Sequence, residues 1–403
     1  MFISRNERLL AVTQNCRLRG DTMRSPRVHL AHQWWISRRG GERLFEETAS
    51  LFPNAPISTL FLCRKTLSEK MRSRDWRVSP LGVVAPRLVD HRKLLPLYPW
   101  ATRQLRADLG TQLLLSSDAS VVKGMWKPPG CVHVCYCNSP PRYLWDMAGE
   151  YLARTSGIGV VGRSIFRRIL ARLQAFDLKA ASNVDHFIGN SRFIAERIKR
   201  IYGRESAVIH PAVDVGRFQA SSKIEDYYLV VAELVSYKRV DLAVQACAQL
   251  GRKLIVVGDG AEMKRLKSDT RGANVTFLGR TPDEQVASLM ARCRAFLHPQ
   301  LEDFGISAVE AQAAGRPVIA FRGGGALDTV IEGETGLFFD EQTSGSLAEA
   351  LKRFETSVGS FQTAACRANA ECFKPERFRS ELRLLLSSVV PNLIPSETES
   401  RNS

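Results

Sequence analysis

What most constrains this chain is a rhythm. Short runs rich in Val, Ile, Leu and Phe recur along it, and amphipathic segments separate them. Runs of this length, continuous in β-branched and aromatic residues, predict strands buried on both faces, and alternating strand with helix builds a mostly parallel sheet. The strand candidates form two series. The first holds RVHLAH (27–32), ISTLFL (57–62), TQLLLSS (111–117), VHVCYC (132–137) and VDHFIGN (184–190). The second holds YYLVVAE (227–233), KLIVVGDG (253–260), NVTFLG (274–279), RAFLHP (294–299), PVIAF (317–321) and GLFF (336–339). Between the series, in AVIHPAVDVGRF, Pro211 interrupts an otherwise continuous run, which sets the boundary near 206–214. The 403 residues therefore divide into two Rossmann-like α/β domains, 23–208 and 209–390, with ligand expected between them at the C-terminal ends of the strands. Met23 opens the segment before the first strand, so residues 1–22 are expected to be disordered or an over-extended start. The polar stretch 391–403 is expected to be a disordered tail.

The net charge of +16 is unevenly placed: residues 1–205 carry +18 and the remainder −2. Such asymmetry points the first half toward an anionic surface, nucleic acid or an acidic membrane leaflet, or else makes it simply an Arg-rich solvated face. Helix-turn-helix, zinc-finger and RNP-like patterns are missing, so a nucleic-acid partner is not expected. The segment SIFRRILARLQAFDLKAA (164–181) sets Ile165, Phe166, Ile169, Leu173 and Phe176 on one helical face among arginines. It reads either as a membrane-surface helix or as a packed domain helix with a basic outer face. The N-terminus lacks the apolar region of a signal peptide, and no window offers the roughly 18 continuous apolar residues of a spanning helix. A cytoplasmic location is expected, soluble or peripheral on the inner face of the plasma membrane.

Nine cysteines scattered over the chain do not form a disulfide framework. Cys131, His133, Cys135 and Cys137 alternate along one strand, about 6.5 Å apart at Cα, whereas structural zinc sites take close cysteines from turns. Buried thiols packing a helix account better for them, and no metal is expected. The glycines of GDG (258–260) and GGG (323–325) do not complete a dinucleotide fingerprint after a first strand.

The most informative segment is LEDFGISAVEAQAAG (301–315). Seven residues separate Glu302 from Glu310, and a helix is predicted to start near Ile306. Glu302 then lies on the preceding loop and Glu310 about one turn inside. Backbone N–H groups at such a helix start attract phosphate, and carboxylates at two depths accept hydrogen bonds from sugar hydroxyls. Spacing alone leaves open a solvated loop carboxylate and a helical one.

This segment resembles the E-x7-E signature of retaining glycosyltransferases of family 4, which have the GT-B fold. The neighbouring LVSYKRVDLAVQAC (234–247), IVVGDGAEMKRL (255–266), VTFLGRTPDEQVASLMARCRAFLHP (275–299) and AAGRPVIAFRGGGALDTVIEGETGLFF (313–339) are similar to that family's C-terminal domain in order and spacing. The first half resembles bacterial members that build O-antigens and exopolysaccharides, often mannosyltransferases. The matching stretches are 28–62, HRKLLPLYPWATRQL (91–105), LLLSSDASVVKG (113–124) and 190–218.

The resemblance implies a donor nucleotide sugar, GDP-mannose or, as the runner-up, a UDP-sugar, with no metal cofactor. It also implies a lipid-linked or oligosaccharide acceptor in surface polysaccharide synthesis. By the same resemblance Glu310 binds the ribose and Glu302 the hexose hydroxyls. Amides around Phe304, Gly305 and Ile306 face the sugar or diphosphate, the Gly40–Gly41 turn approaches the diphosphate from the other domain, and Lys238 neutralises the leaving group. The family retains anomeric configuration, with the leaving diphosphate helping to deprotonate the acceptor. Two departures stand out. Glu233 occupies a position where many members carry Arg, leaving Arg239 as the expected substitute cation. Asn138 fills the place of a His after the strand that ends at Cys137, while Pro140, Arg142 and Tyr143 remain. Asn138, Arg142 and His133 are the expected acceptor-side residues. An inactive nucleotide-sugar-binding relative stays open because of Glu233.

Overall fold

The computed structural model describes residues 27–84, 90–146, 160–270 and 273–391. The expected tails at 1–22 and beyond Pro391 lie outside the described residues. In the first sheet, β1 (Val28–His32), β2 (Ile57–Thr59), β3 (Trp76–Val78), β4 (Leu113–Asp118), β5 (Val132–Cys137), β6 (His186–Gly189) and β7 (Ser206–Val208) lie in the order β3-β2-β1-β4-β5-β6-β7. In the second, β8 (Tyr228–Val231), β9 (Leu254–Val257), β10 (Val275–Gly279), β11 (Phe296–His298), β12 (Val318–Phe321) and β13 (Gly336–Phe339) lie in the order β10-β9-β8-β11-β12-β13. The pairings are parallel in both sheets. Eleven of these strands are the expected ones. The short edge strands β3 and β7 are additions.

Both sheets belong to the doubly wound α/β type. Strand order reverses between β1 and β4 in one and between β8 and β11 in the other, which opens a crevice at the C-terminal ends of those strands. The two crevices face each other. Two helices shape the first domain's share: α1 (Gly40–Ser50), entered directly from the β1 loop, and α2 (Val160–Ser182). On α2, Leu170, Leu173 and Phe176 are buried and Phe166 and Ile169 half-buried against Leu144, Tyr143 and Trp145, so its apolar face packs the domain, while Ile165 stays exposed.

In the second domain, α3 (Ile306–Ala313) begins at Gly305, whose φ of 93° lies in the left-handed region. The last helix, α4 (Pro375–Val389), repeats Phe378, Leu382 and Leu386 at a spacing of four. That stripe is buried in the core of the first sheet, with Val28, Leu30 and Tyr136. Residues 375–389, counted with the second domain in the sequence, therefore pack on the first. The reason is that an apolar stripe of this length must be covered.

A buried ionic network stiffens the end of β4. Lys123 sits between Asp118, at 3.3 Å, and Asp177, which also accepts from Trp145 Nε1 and Tyr202 Oη, each at 2.8 Å. Among the described residues no helix is long and apolar enough to cross a membrane.

Candidate functional site

The cleft between the domains holds a cavity of about 940 Å3 lined by Gly40, Gly41, Asn138, Glu233, Glu302, Phe304, Gly305, Ile306 and Glu310, among others. Local geometry explains how they meet. The N-termini of α1 and α3 both open into the cleft, one from each domain, so two sets of unsatisfied backbone N–H groups converge on one space. Gly40 sits so close to Ile306 across the cleft that a Cβ on it would lie 2.6 Å from the Ile306 Cδ1. Gly41 faces open space.

At the floor, Lys238 Nζ donates to Glu302 Oε1, and Gln300 Nε2 donates to the other carboxylate oxygen at 3.1 Å. The same Gln300 amide donates to His298 Nδ1 at 3.0 Å, which leaves the ring proton on Nε2, 3.6 Å from Glu302. Burial raises the Glu302 carboxyl, but the neighbouring Lys238 ammonium and His298 outweigh it and hold it at about 2. Burial alone would lower Lys238; Glu302 more than compensates, and its value is raised. His298 is held down to about 4 by burial and stays neutral. The floor is thus a fixed cation–anion pair at neutral pH.

Glu310 behaves oppositely. Its side chain is only 17% exposed, and burial pushes its carboxyl up to about 7 against the pull of Arg217, whose Nη2 lies 3.0 Å away, and of Arg43. A buried carboxylate of this kind, with one oxygen accepting from Arg217 and half-ionised near neutrality, suits a diol.

Arginines of the first domain reach carboxylates of the second across the cleft. Arg39 Nη1 meets Glu233 at 2.6 Å, Arg43 meets Asp283 at 2.7 Å, Arg142 and Arg197 meet Asp303 at 2.8 and 3.3 Å, and the Arg192 amide meets Asp328 at 2.7 Å. Part of the basic excess of the first half is therefore spent on the facing domain. Glu233, the unexpected carboxylate, lines the cleft and holds Arg39, the residue that caps α1 beside Gly40.

Arg239, His133 and Arg142 do not line this cavity, and Lys238 meets it through Glu302. Arg239, at a left-handed φ of 47°, turns to Asp241 at 3.3 Å and to the Gln342 carbonyl, and it lines a different cavity. His133 is a correction: it is buried in β5, bonded to Ser116 Oγ at 2.8 Å, and burial lowers it to about 3. It lies four residues before the cleft end of the strand and is out of reach of an acceptor in the cleft. Asn138 does reach the cleft, donating to Ser117 Oγ at 3.0 Å, while Arg142 faces the second cavity. Cys135 and Cys137 are buried with Phe187, Ile194 and Ile198, Cys131 is buried in a separate apolar cluster, and among the described residues no cluster of His, Cys, Asp or Glu could hold a metal ion.

Sequence reasoning missed Arg39, Arg43, Arg217, His298 and Gln300. A signal existed for the first: two arginines directly before the glycines of ISRRGGERLF.

Residues 217–370 match the family described as Glycosyl transferases group 1. An uncharacterized glycosyltransferase of Methanocaldococcus jannaschii is 28% identical over 250 residues, covering 60% of this chain and 67% of that protein. The GDP-mannose-dependent alpha-(1-6)-phosphatidylinositol monomannoside mannosyltransferase of Mycolicibacterium smegmatis is 30% identical over 192 residues, covering 40% and 50%. Human alpha-1,3/1,6-mannosyltransferase ALG2 is 29% identical over 238 residues, covering 49% and 57%. The chain thus spans from about half to two thirds of the length of these relatives. In fold, Anabaena HepE, solved in complex with UDP, superposes with a TM-score of 0.66 at 19% identity over 90% of this chain and 100% of that one. Sucrose-phosphate synthase from Thermosynechococcus elongatus superposes with the same score, 0.66, at 18% identity over 90% and 99%.

Proposed function

We propose that the protein transfers a hexose from a nucleoside diphosphate sugar, the premise being the match of residues 217–370 to the glycosyl transferases group 1 family within a GT-B architecture. The observation that carries this reading is the convergence of two helix N-termini, one from each domain, above the Lys238–Glu302 pair. Such a place suits a diphosphate: the N–H groups and the ammonium supply positive potential in a partly dry cleft, where it acts more strongly than in water. This neutralisation is what a bound metal would otherwise provide, and the reaction is expected to need none.

In the proposed roles, Glu310 accepts hydrogen bonds from the ribose, and Glu302, kept ionised, accepts them from the hexose. The bond between the anomeric carbon and the diphosphate breaks, and the electron pair leaves with the phosphate beside Lys238. An acceptor hydroxyl bonds to the same carbon on the same face, and its proton passes to the departing diphosphate oxygen. Retention follows, as in glycosyltransferase family 4. Mannose from GDP-mannose is the preferred donor, because relatives that match over about half of this chain are named for it. The acceptor is a lipid-linked or oligosaccharide glycan of surface polysaccharide synthesis, met in the cytoplasm at the inner face of the plasma membrane.

A thermal-shift screen with GDP, UDP and their sugars tests this directly. GDP and GDP-mannose are expected to raise the melting temperature and EDTA to leave turnover unchanged. Stabilisation by UDP alone would move the donor to a UDP-sugar, and no response to any nucleotide would overturn the reading.

A further inference from the structure

Behind the Lys238–Glu302 pair lies a second interdomain cavity of about 750 Å3, within the range of roughly 300–1,000 Å3 seen for small-ligand pockets. Five arginines line it, Arg142, Arg197 and Arg200 from the first domain and Arg239 and Arg265 from the second, against two aspartates, Asp146 and Asp241. Their internal partners are only partly loose: Arg200 lies 3.4 Å from Asp146 and Arg239 3.3 Å from Asp241, while Arg265, 50% exposed, donates to Glu262 at 2.7 Å and Arg142 to Asp303 at 2.8 Å. An oxyanion that accepts two N–H groups at once would replace such contacts with better ones.

The cavity also adjoins the reacting pair along the chain. Tyr237 and Leu301, which line it, directly precede Lys238 and Glu302 in the chain. The Tyr237 ring lies between two cations, with Lys238 Nζ 5.5 Å and the Arg142 guanidinium 5.6 Å from its centroid. The Tyr237 ring is exposed at this cavity, so a ligand seated here has an aromatic face available for a sugar ring beside the Lys238–Glu302 pair.

We propose that this arginine-lined cavity is the acceptor site and that it seats a phosphate carried by the acceptor. The assignment rests on the glycosyl-transfer reading of the adjoining cleft. The shared chemistry is a phosphate monoester or diester next to a sugar, supplied either by a soluble sugar phosphate or by a lipid phosphate.

The experiment uses the full chain saturated with the nucleoside diphosphate that stabilises it, so that the nucleotide cleft is already filled. Calorimetric titrations then compare glucose 1-phosphate, glucose, and a polyprenyl phosphate in detergent micelles. The expected result is binding of at least one phosphate probe and none of glucose. Arg200→Gln combined with Arg265→Gln should weaken phosphate binding roughly tenfold or more, each charge-assisted contact being worth about that much. Nucleotide affinity should stay at the wild-type level. Binding of the soluble phosphate assigns a soluble acceptor, and binding of the micellar one alone assigns a lipid-linked acceptor. Failure of both probes beside a bound nucleotide overturns the proposal while leaving glycosyl transfer standing, as does wild-type phosphate affinity in the double variant. A chain that binds no nucleotide refutes the transfer reading first.

Discussion

Glu310 offers the most discriminating test, because its free-state protonation is unusual and its proposed role demands the opposite state. Burial moves its carboxyl from 4.5 to about 7, which corresponds to roughly 3 kcal/mol against ionisation in the empty cleft. At pH 7 about half of the empty molecules therefore carry the proton. A ribose diol that donates to this group needs the carboxylate, so nucleotide binding should expel about half a proton per site at that pH and close to a full one at pH 6. Titrating the nucleoside diphosphate by calorimetry in two buffers of different ionisation enthalpy reads the number directly. The nucleotide's own phosphate also titrates nearby, so Glu310→Gln is the control. The difference between wild type and variant isolates the Glu310 proton. Affinity in the wild type should fall as pH drops below 7, and the variant should be weaker but flatter. Equal proton release in both proteins, or affinity independent of pH in the wild type, would refute the assignment. Stability should move the other way. A carboxyl raised on folding favours the folded state most below its unfolded value of 4.5, and that advantage is lost as pH rises through about 7.

Three further outcomes are expected. Lys238→Ala should lower kcat by about 100-fold to 1,000-fold while changing nucleoside diphosphate affinity by less than tenfold, since a cation beside the leaving group acts mainly in the transition state; wild-type turnover would sink that role. Glu233→Gln should tighten nucleotide binding a few-fold by freeing Arg39 at little cost, exposed ion pairs contributing about 1 kcal/mol or less, and Arg39→Gln should weaken it; weaker binding in Glu233→Gln would show that the pair holds the cleft rather than competing with the ligand. Asp177→Ala leaves Lys123 in the interior short of one partner and should cost about 3–5 kcal/mol in urea unfolding, whereas Asp75→Ala, at an exposed pair, should cost little.

What the sequence revealed and what it hid divide along a physical line. Strands buried on both faces write themselves as apolar runs, so the inner strands were legible, whereas β3 and β7 sit at sheet edges with mixed composition and gave no such signal. The placement of Glu302, Glu310 and Gly305 was legible because it depends on spacing along one loop and one helix, while the roles expected of them came from the family resemblance. Lys238 finds Glu302, 64 residues away, only once the second domain has folded, and Arg39 finds Glu233, 194 residues away, only once both domains have. Arg239 misled for a local reason: the turn of Ser236–Lys238 throws the next residue into a left-handed conformation and its side chain away from the cleft. His133 misled because the two-residue alternation of a strand identifies a face but not how far along it the ligand lies.

The charge asymmetry takes on a different meaning once these contacts are counted. Arg39, Arg43, Arg142, Arg192 and Arg197 all face carboxylates of the other domain, so a share of the first half's excess serves to hold the two domains together across the cleft. On the proposed function an incoming diphosphate would compete for Arg39 with Glu233, so that ligand binding and the contact between domains would draw on the same guanidinium. Arg200 and Arg239, more loosely paired at 3.4 and 3.3 Å, join Arg142, Arg197 and Arg265 at the second cavity, and this concentration of guanidinium groups makes that cavity the first place to look for an anionic partner.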